Sequence, residues 1–489
     1  LNMYHKRFHS IIWKQNSFWD AETGLKVLLS KASQIPDVYI KSIADCYRQG
    51  LDIDNDFLKY ICCDERRIKL RDPYNKNYIR IPFAIDQNRQ IHELELGSEL
   101  NAHAMVIGGT GAGKTNTLHV LITSLAVHYH PDDVEIWLLD FKFTEMKIYK
   151  GACWIPHIRL IGMDTEDSFA AGILGKLESE LTRRKKLITG DIHDYEAERR
   201  ESLRKGEQPK EKLSHVVLIL DEYQRLIQAV NGTDERVIVE NLLRESRALG
   251  MYFVFSSQTS TGLLKDNEMG QISGRMFMRV EGERQNDEKL AFFGMTKGEE
   301  KEKLDVLSRN LGTGAMVYRN VEKVGKDVSE NHYVRVRSLY LPKISQKMIL
   351  TKIADMKIFK GHLPKRTLCY EGRRRKEMII SQIVEDEKSL GYRKGIAPEN
   401  PDDRILYLGT PVGPDFYTRM SLMRSRSDHI MLMGRNRKLQ YAVLMSLIKS
   451  YVRKTGTDTD GKEIWIVADE YNPLYTDYQK EWMQLPERN

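Results

Sequence analysis

The octet GGTGAGKT, Gly108–Thr115, has the spacing G-x-x-x-x-G-K-[ST], with a lysine and a threonine directly behind a glycine-rich turn. Residues of these types in this order can hold a polyphosphate. Glycines let backbone N–H groups turn inward around phosphate oxygens, and a helix starting there adds a favourable potential for an anion. Gly108, Gly109, Thr110, Gly111, Ala112 and Gly113 would form the cradle, with Asn116 just beyond it. Lys114 is expected on the β- and γ-phosphates and the Thr115 hydroxyl on Mg2+, so the chemistry expected is binding of ATP with Mg2+.

Hydrolysis needs further groups. VVLILDE, Val216–Glu222, is an apolar run that ends in two carboxylates. A strand buried on both faces reads as a continuous apolar run, and ligands of open α/β sheets gather at the carboxyl ends of strands. Asp221 is therefore expected in the Mg2+ shell and Glu222 as the group that polarises the attacking water. MYFVFSSQTS, Met251–Ser260, has the same character, and Gln258 at its end is a candidate for sensing the γ-phosphate or aligning water. Taken singly, a strand-end Asp-Glu pair or Gln only satisfies backbone groups or solvent. The intact glycine loop is what gives them a joint role.

Elements that could position these groups are legible around them. AMVI precedes the loop, and the stripe Leu118, Leu121, Ile122 and Leu125 follows it at helical spacing. The short apolar runs EIWLLD, VVLILDE, MYFVFSSQ and RMFMRV alternate with longer amphipathic stretches, which predicts an α/β fold with a parallel sheet flanked by helices. The charged stretch at 189–214 reads as an exposed insertion. At 489 residues the chain has room for about three domains of roughly 150 residues. Its expected parts are a mostly helical or linker region at 1–77, a nucleotide-binding module at 78–345, a linker at 346–403 and a last segment at 404–489.

Bulk composition constrains the class weakly. Lys plus Arg exceed Asp plus Glu by seven, a balance compatible with nucleic acid without requiring it. The five cysteines show no metal-ligand spacing and fit buried free thiols in a reducing compartment. No apolar run reaches membrane-spanning length and no signal-peptide pattern opens the chain, so a cytoplasmic protein is expected, with association to an anchored complex left open.

The order of motifs resembles the FtsK/SpoIIIE branch of the HerA–FtsK ATPases over residues 78–345. IWLLDFKFTEM (Ile136–Met146) is similar to that family's strand with an Asp-x-Lys turn, and LESELTRRKKLI (Leu177–Ile188) to its Arg-Arg helix. LILDEYQRLI, ESRALGMYFVFSSQ and LGTGAMVY (Leu311–Tyr318) resemble its carboxylate strand, its helix–Gly–strand–Gln run and its closing Gly-rich turn. The resemblance implies a RecA-like core, a homo-oligomeric ring (usually of six modules) and ATP sites at module interfaces. It also implies an arginine that reaches a neighbour's γ-phosphate. Arg275 is the favoured candidate, with Arg183 and Arg184 as the others. Family members divide by cargo between double-stranded DNA and secreted protein substrates of type VII systems. A third reading is an ATP-switched assembly protein with slow turnover.

A second segment echoes the first. Displaced by 326 positions, His103 falls on His429, Gly108 on Gly434 and the stripe from Leu118 on Leu444, Leu447, Ile448 and Tyr451. EIWLLD has its counterpart in EIWIVADE, Glu463–Glu470. Lys114 becomes Gln440, Thr115 becomes Tyr441 and Gly113 becomes Leu439, so the copy keeps the strand and helix pattern and lacks the phosphate chemistry. A partial, degenerate second module is expected at 404–489, the alternative being two generic strand–loop–helix units.

Overall fold

The computed structural model describes residues 70–371 except 75–77, 152–153, 166, 261, 281–284, 295–297, 324–328 and 356–366. Beyond them it describes 404–409, 418–422 and nine positions between 430 and 448. Nearly all of the N-terminal region at 1–77, and EIWIVADE in full, lie outside the described residues. The chain forms two compact units, with the division after Gly372.

In the first unit the predicted alternation is realised. Strands β1 (Ile79–Ile85), β2 (Ile91–Leu96) and β3 (His103–Ile107) lead into helix α1 (Lys114–His128). Next come β4 (Val134–Asp140), β5 (Ile158–Met163), α2 (Asp167–Leu187), α3 (Ile192–Arg204) and β6 (His215–Asp221). They are followed by α4 (Tyr223–Val230), α5 (Glu235–Glu245), β7 (Met251–Ser257), α6 (Asp266–Gln271) and β8 (Ile272–Met278). Helices α7 (Gln285–Phe293) and α8 (Glu299–Leu307), strands β9 (Ala315–Lys323) and β10 (Ser329–Ser338), helix α9 (Lys343–Asp355) and strand β11 (Leu368–Glu371) complete the unit. One eleven-stranded sheet runs in the order β11-β5-β4-β6-β7-β3-β8-β9-β10-β1-β2. Its pairs from β11 to β8 are parallel and those from β8 to β2 are antiparallel.

Successive side chains of a strand face opposite sides, and the continuous apolar runs supply both. Val106, Ile136, Leu138, Val217 and Ile219 join one core layer, while Ile107, Trp137, Leu139, Leu218 and Leu220 join the other. This explains why β3, β4 and β6 read as unbroken apolar runs.

Helix α1 is more buried than its stripe predicts: every residue from Thr117 to Val127 is enclosed. It packs against β1, β10 and α9, so no face is left to solvent. Two of its polar side chains find partners inside, the Ser124 hydroxyl on the Pro82 carbonyl at 2.6 Å and His119 on the Tyr149 hydroxyl at 2.8 Å. The charged insertion is likewise not merely exposed. Asp191 caps α3 by accepting from the His193 and Asp194 N–H groups, and Ile192, Tyr195 and Glu196 are buried. The expected boundary at 345 is also too early. Helix α9 runs to Asp355, and β11 pairs with β5 in the sheet, so the unit reaches residue 372.

In the second unit, β12 (Arg404–Gly409) and β13 (Thr418–Leu422) form an antiparallel hairpin. Its pairs Arg404↔Leu422 through Tyr407↔Arg419, then Gly409↔Thr418 past a bulge, match Ile79↔Leu96 through Pro82↔Glu93, then Ala84↔His92 past the same bulge. The second strand keeps the displacement of 326 and the first is one residue short of it. Gln440 and residues 443–448, the counterparts of Lys114 and 117–122, are helical. Met433, which the displacement of 326 matches to buried Ile107, is instead 84% exposed and outside any strand.

Several buried histidines make the fold acid-sensitive. His103 places its Nε2 3.0 Å from the Leu243 carbonyl, while its Nδ1 accepts from the Phe253 N–H at 3.2 Å, an arrangement suited to the neutral ring. Burial lowers the pKa of His103, His119, His128 and His157 to about 4 and drives that of His215 down as well. The unfolded chain then binds more protons than the fold between pH 6.5 and about 4, so this stability is whole above pH 6.5 and lost as pH falls through that window. The thermal midpoint should fall steadily from pH 6.5 to 4 in a scanning-calorimetry series. His103→Gln, which can still donate and accept once each, should flatten part of the slope. A midpoint level across the window would contradict this account.

Candidate functional site

Four neighbouring parallel strands, in the order β4-β6-β7-β3, end along one edge of the sheet. Each end carries a group singled out in the sequence: the Asp140 turn on β4, Asp221 and Glu222 on β6, Gln258 after β7 and the glycine loop after β3. In-register pairing of Asp140 with Asp221 fixes the first two side by side.

The loop is braced by its surroundings. Gly108 N–H donates to the Ser257 carbonyl and Gly109 N–H to that of Arg279. Gly113 has φ +110°, a left-handed conformation, and a Cβ there would come within 3.0 Å of the Gly314 nitrogen. That nitrogen donates to the Ala112 carbonyl at 2.8 Å, so the Gly-rich turn before β9 braces the cradle from behind. No side chain caps α1, which leaves its first-turn N–H groups to an anion. Lys114 reaches back to the carbonyls of Gly108 and Gly109. Burial lowers its pKa, and the charges of Glu222 and Asp221 oppose that shift, which puts all three in one electrostatic neighbourhood.

Asp221 is 5% exposed and, among the described residues, enters no ion pair. Burial first, then the charges of Glu222 and Asp140, raise its pKa to about 6. A buried carboxylate in that condition is an oxygen donor that suits a hard divalent cation. Glu222 starts α4 with φ 59° and ψ 48°, left-handed for a residue with a Cβ. Its carboxylate accepts from Gln258 Nε2 at 2.7 Å, from Lys142 Nζ at 3.3 Å and from the Gln224 amide. The Ser257 hydroxyl holds Gln224 in turn at 2.8 Å. Beside Glu222 opens a polar cleft lined by Thr165, Gln224, Arg225, Gln228 and Gln258.

Other expected residues fall elsewhere. The Asn116 side chain donates to the Leu339 carbonyl at 2.7 Å and accepts from the Leu341 N–H at 2.9 Å, so it ties α1 to the end of β10 instead of facing the cradle. Arg275 is 5% exposed, and its guanidinium donates to the carbonyls of Ile272, Phe292 and Met269. Burial, then the charge of Arg319, lowers its pKa to about 9. Arg184 is 2% exposed and bound to the Leu249 and Ser214 carbonyls and to Glu180. Both are struts inside their own unit, and neither is presented to a neighbour. Arg183 is half-buried and pairs with Glu180 and Glu211 on the surface of α2. Lys142 and Gln224 were missed as site residues, although the Asp-x-Lys turn had marked the first.

Fold and site together define a RecA-like P-loop module. Residues 65–261 match the FtsK/SpoIIIE family model, and this segment is an FtsK/SpoIIIE-family domain. The chain is 36% identical over 177 residues to the DNA translocase FtsK of Clostridium tetani, covering 35% of this chain and 23% of that protein. It is 27% identical over 214 residues to the ESX secretion system protein EccC of Geobacillus thermodenitrificans, covering 42% of this chain and 14% of that protein. Among solved structures it is similar to EssC (ATPases 2 and 3) from Geobacillus thermodenitrificans. There the TM-score is 0.50 at 13% identity, over 85% of this chain and 76% of that one. The chain thus spans under a third of the length of these curated relatives.

Two substitutions separate chemistry from scaffolding. Lys114→Ala should abolish binding of a fluorescent ATP analogue and leave the melting temperature nearly unchanged. Arg275→Met should act in the opposite way, because it strands three buried carbonyls at roughly 1–3 kcal/mol each. A lower urea midpoint is expected, with analogue affinity retained. If Arg275→Met left the midpoint untouched and removed only hydrolysis, the strut assignment would be wrong.

Proposed function

We propose that the unit ending at residue 372 is an ATP-hydrolysing motor module that works in a ring or tandem array and drives a polymer, double-stranded DNA in the preferred reading. Glu222 is the observation that carries hydrolysis beyond binding alone. It is a buried carboxylate directly after the metal-suited Asp221, and it is oriented by Gln258 from the adjacent strand end.

ATP with Mg2+ supplies a phosphoryl group open to attack by water, with its charge partly neutralised by the metal. The chain's own groups divide the remaining work. The cradle N–H groups and the Lys114 ammonium would hold the phosphate charge, and Thr115 and Asp221 would hold the metal. Glu222 orients a water and takes up its proton as attack proceeds, and Gln258 keeps the carboxylate turned towards that task. A carboxylate so placed speaks against a slow assembly switch.

For the cargo, the relative with the higher identity is named a DNA translocase. The mildly basic chain is also compatible with phosphate contacts, which a few Lys or Arg in a pore can supply. Protein export is the second reading, and one observation favours it: the hairpin at 404–422 repeats the register and bulge of β1–β2. That repetition supports a second module at 404–489, and modules strung on one chain are expected of secretion ATPases. Leu439, Gln440 and Tyr441 in place of Gly113, Lys114 and Thr115 would make its role architectural.

Glu222→Gln should bind ATP with near-native affinity and lose hydrolysis by about 100-fold or more. Long duplex DNA should raise the steady-state ATPase rate of the native chain, with retention on DNA that weakens as salt is added. No stimulation and no retention at low salt would end the DNA reading. Stimulation by a small helical-hairpin protein would establish the export reading instead.

A further inference from the structure

Glu222 occupies the N-cap position of α4, where an acidic side chain ordinarily accepts from the helix's own first N–H groups, yet it makes no such bond. Its carboxylate is turned instead towards the ends of β4 and β7. Of the donors that hold it, Gln258, Gln224 and Lys142, only Lys142 carries a charge.

The turn that delivers Lys142 is heavily built for so short a segment. Asp140 is wholly buried, and its Oδ1 accepts from the N–H groups of Lys142 and Phe143 at 2.8 and 3.0 Å. Its Oδ2 accepts from Thr144, Glu145 and Met146 at 2.9, 2.8 and 3.2 Å. Five N–H groups on one carboxylate fix the backbone of 141–146, including Phe143 at a left-handed φ of 62°. They also saturate Asp140, so the carboxylate beside Asp221 in the register is committed to shaping the turn and not to a metal. A turn needed only to close the chain would not require a strained residue and a buried charge. This one places the Lys142 ammonium 3.3 Å from Glu222 Oε1.

We propose that Lys142, carried on the Asp140 turn, is a positioning residue that fixes the orientation of the Glu222 carboxylate for hydrolysis. The proposal rests on the ATPase reading and adds to it a residue that acts through Glu222, not on the phosphate. The competing description is an ordinary surface pair: the Lys142 side chain is 48% exposed, and exposed pairs contribute little to stability. The two descriptions differ in catalysis.

The test uses the full chain with Lys142→Met, Lys142→Arg, Glu222→Gln and the double variant Lys142→Met/Glu222→Gln. Melting temperature serves as the folding control. Lys142→Met should lower kcat by about tenfold or more while KM and the affinity for a non-hydrolysable ATP analogue stay within about twofold. Lys142→Arg, which keeps the charge, should recover most of the loss. In single-turnover assays with radiolabelled ATP, adding Lys142→Met to Glu222→Gln should change nothing further, because the carboxylate it positions is gone. The proposal is overturned if Lys142→Met turns over like the native chain, or if its loss appears undiminished on top of Glu222→Gln. It is also overturned if analogue affinity falls in step with kcat, as expected for Lys114→Ala, since Lys142 would then be a phosphate ligand. A native chain that hydrolyses no ATP at all sinks the ATPase reading and this inference together. That outcome is distinct from an active native chain with an indifferent Lys142→Met.

Discussion

Hydrogen-bonded register across β4, β6, β7 and β3 is the constraint on which the site depends. Adjacent strands lie about 4.8 Å apart and a slip of one residue sends every side chain to the other face. Here a slip would drive Ile136 and Leu138 out of one core layer and Trp137 and Leu139 out of the other. Packing on both faces therefore locks the register, and the register sets Asp140 beside Asp221 and brings Gln258 and the glycine loop into the same row. Groups spread from Gly108 to Gln258 in the chain share one edge because the core permits no other alignment.

Charge is handled differently at each point along that edge. Asp140 is held by five backbone N–H groups and becomes a structural anchor. Asp221, also buried, accepts one backbone N–H, from Glu222 at 3.1 Å, against five on Asp140; its pKa is raised and it is suited to a cation. Glu222 is diverted from its helix and held from three sides, at the expense of a left-handed backbone of the kind that collects at functional sites. Three carboxylates close together thus acquire three roles from their surroundings.

Arginines show where motif reading stops. Arg184 sits in a helix that resembles a family motif and Arg275 on an apolar strand, and a trans role is expected of either from the resemblance. Part of their enclosure comes from elements further along the chain: α7 supplies the Phe292 carbonyl to Arg275, and the turns just before β7 and β6 supply the Leu249 and Ser214 carbonyls to Arg184. Asn116 was drawn off in the same way by the chain at 339–341. Some partners are local, but each of these residues also bonds a carbonyl or N–H that the fold brings in from elsewhere, up to 225 positions away for Asn116.

The sequence by itself determined the glycine loop with its Lys and Thr, the carboxylate pair at a strand end and the alternation that makes an α/β sheet. These depend on contiguous spacing and on the period of side chains along one strand or helix, which local chemistry dictates. The echo of 103–125 at 429–451 is legible in the sequence, whereas the hairpin at 404–422 that repeats the register and bulge of β1–β2 is seen only in the structure. Tertiary structure alone decided which strand ends are neighbours and which arginines are buried. It alone turned Lys142 and Gln258 onto Glu222. Those outcomes follow from pairing across the sheet and packing between its faces, interactions that no stretch of sequence contains within itself.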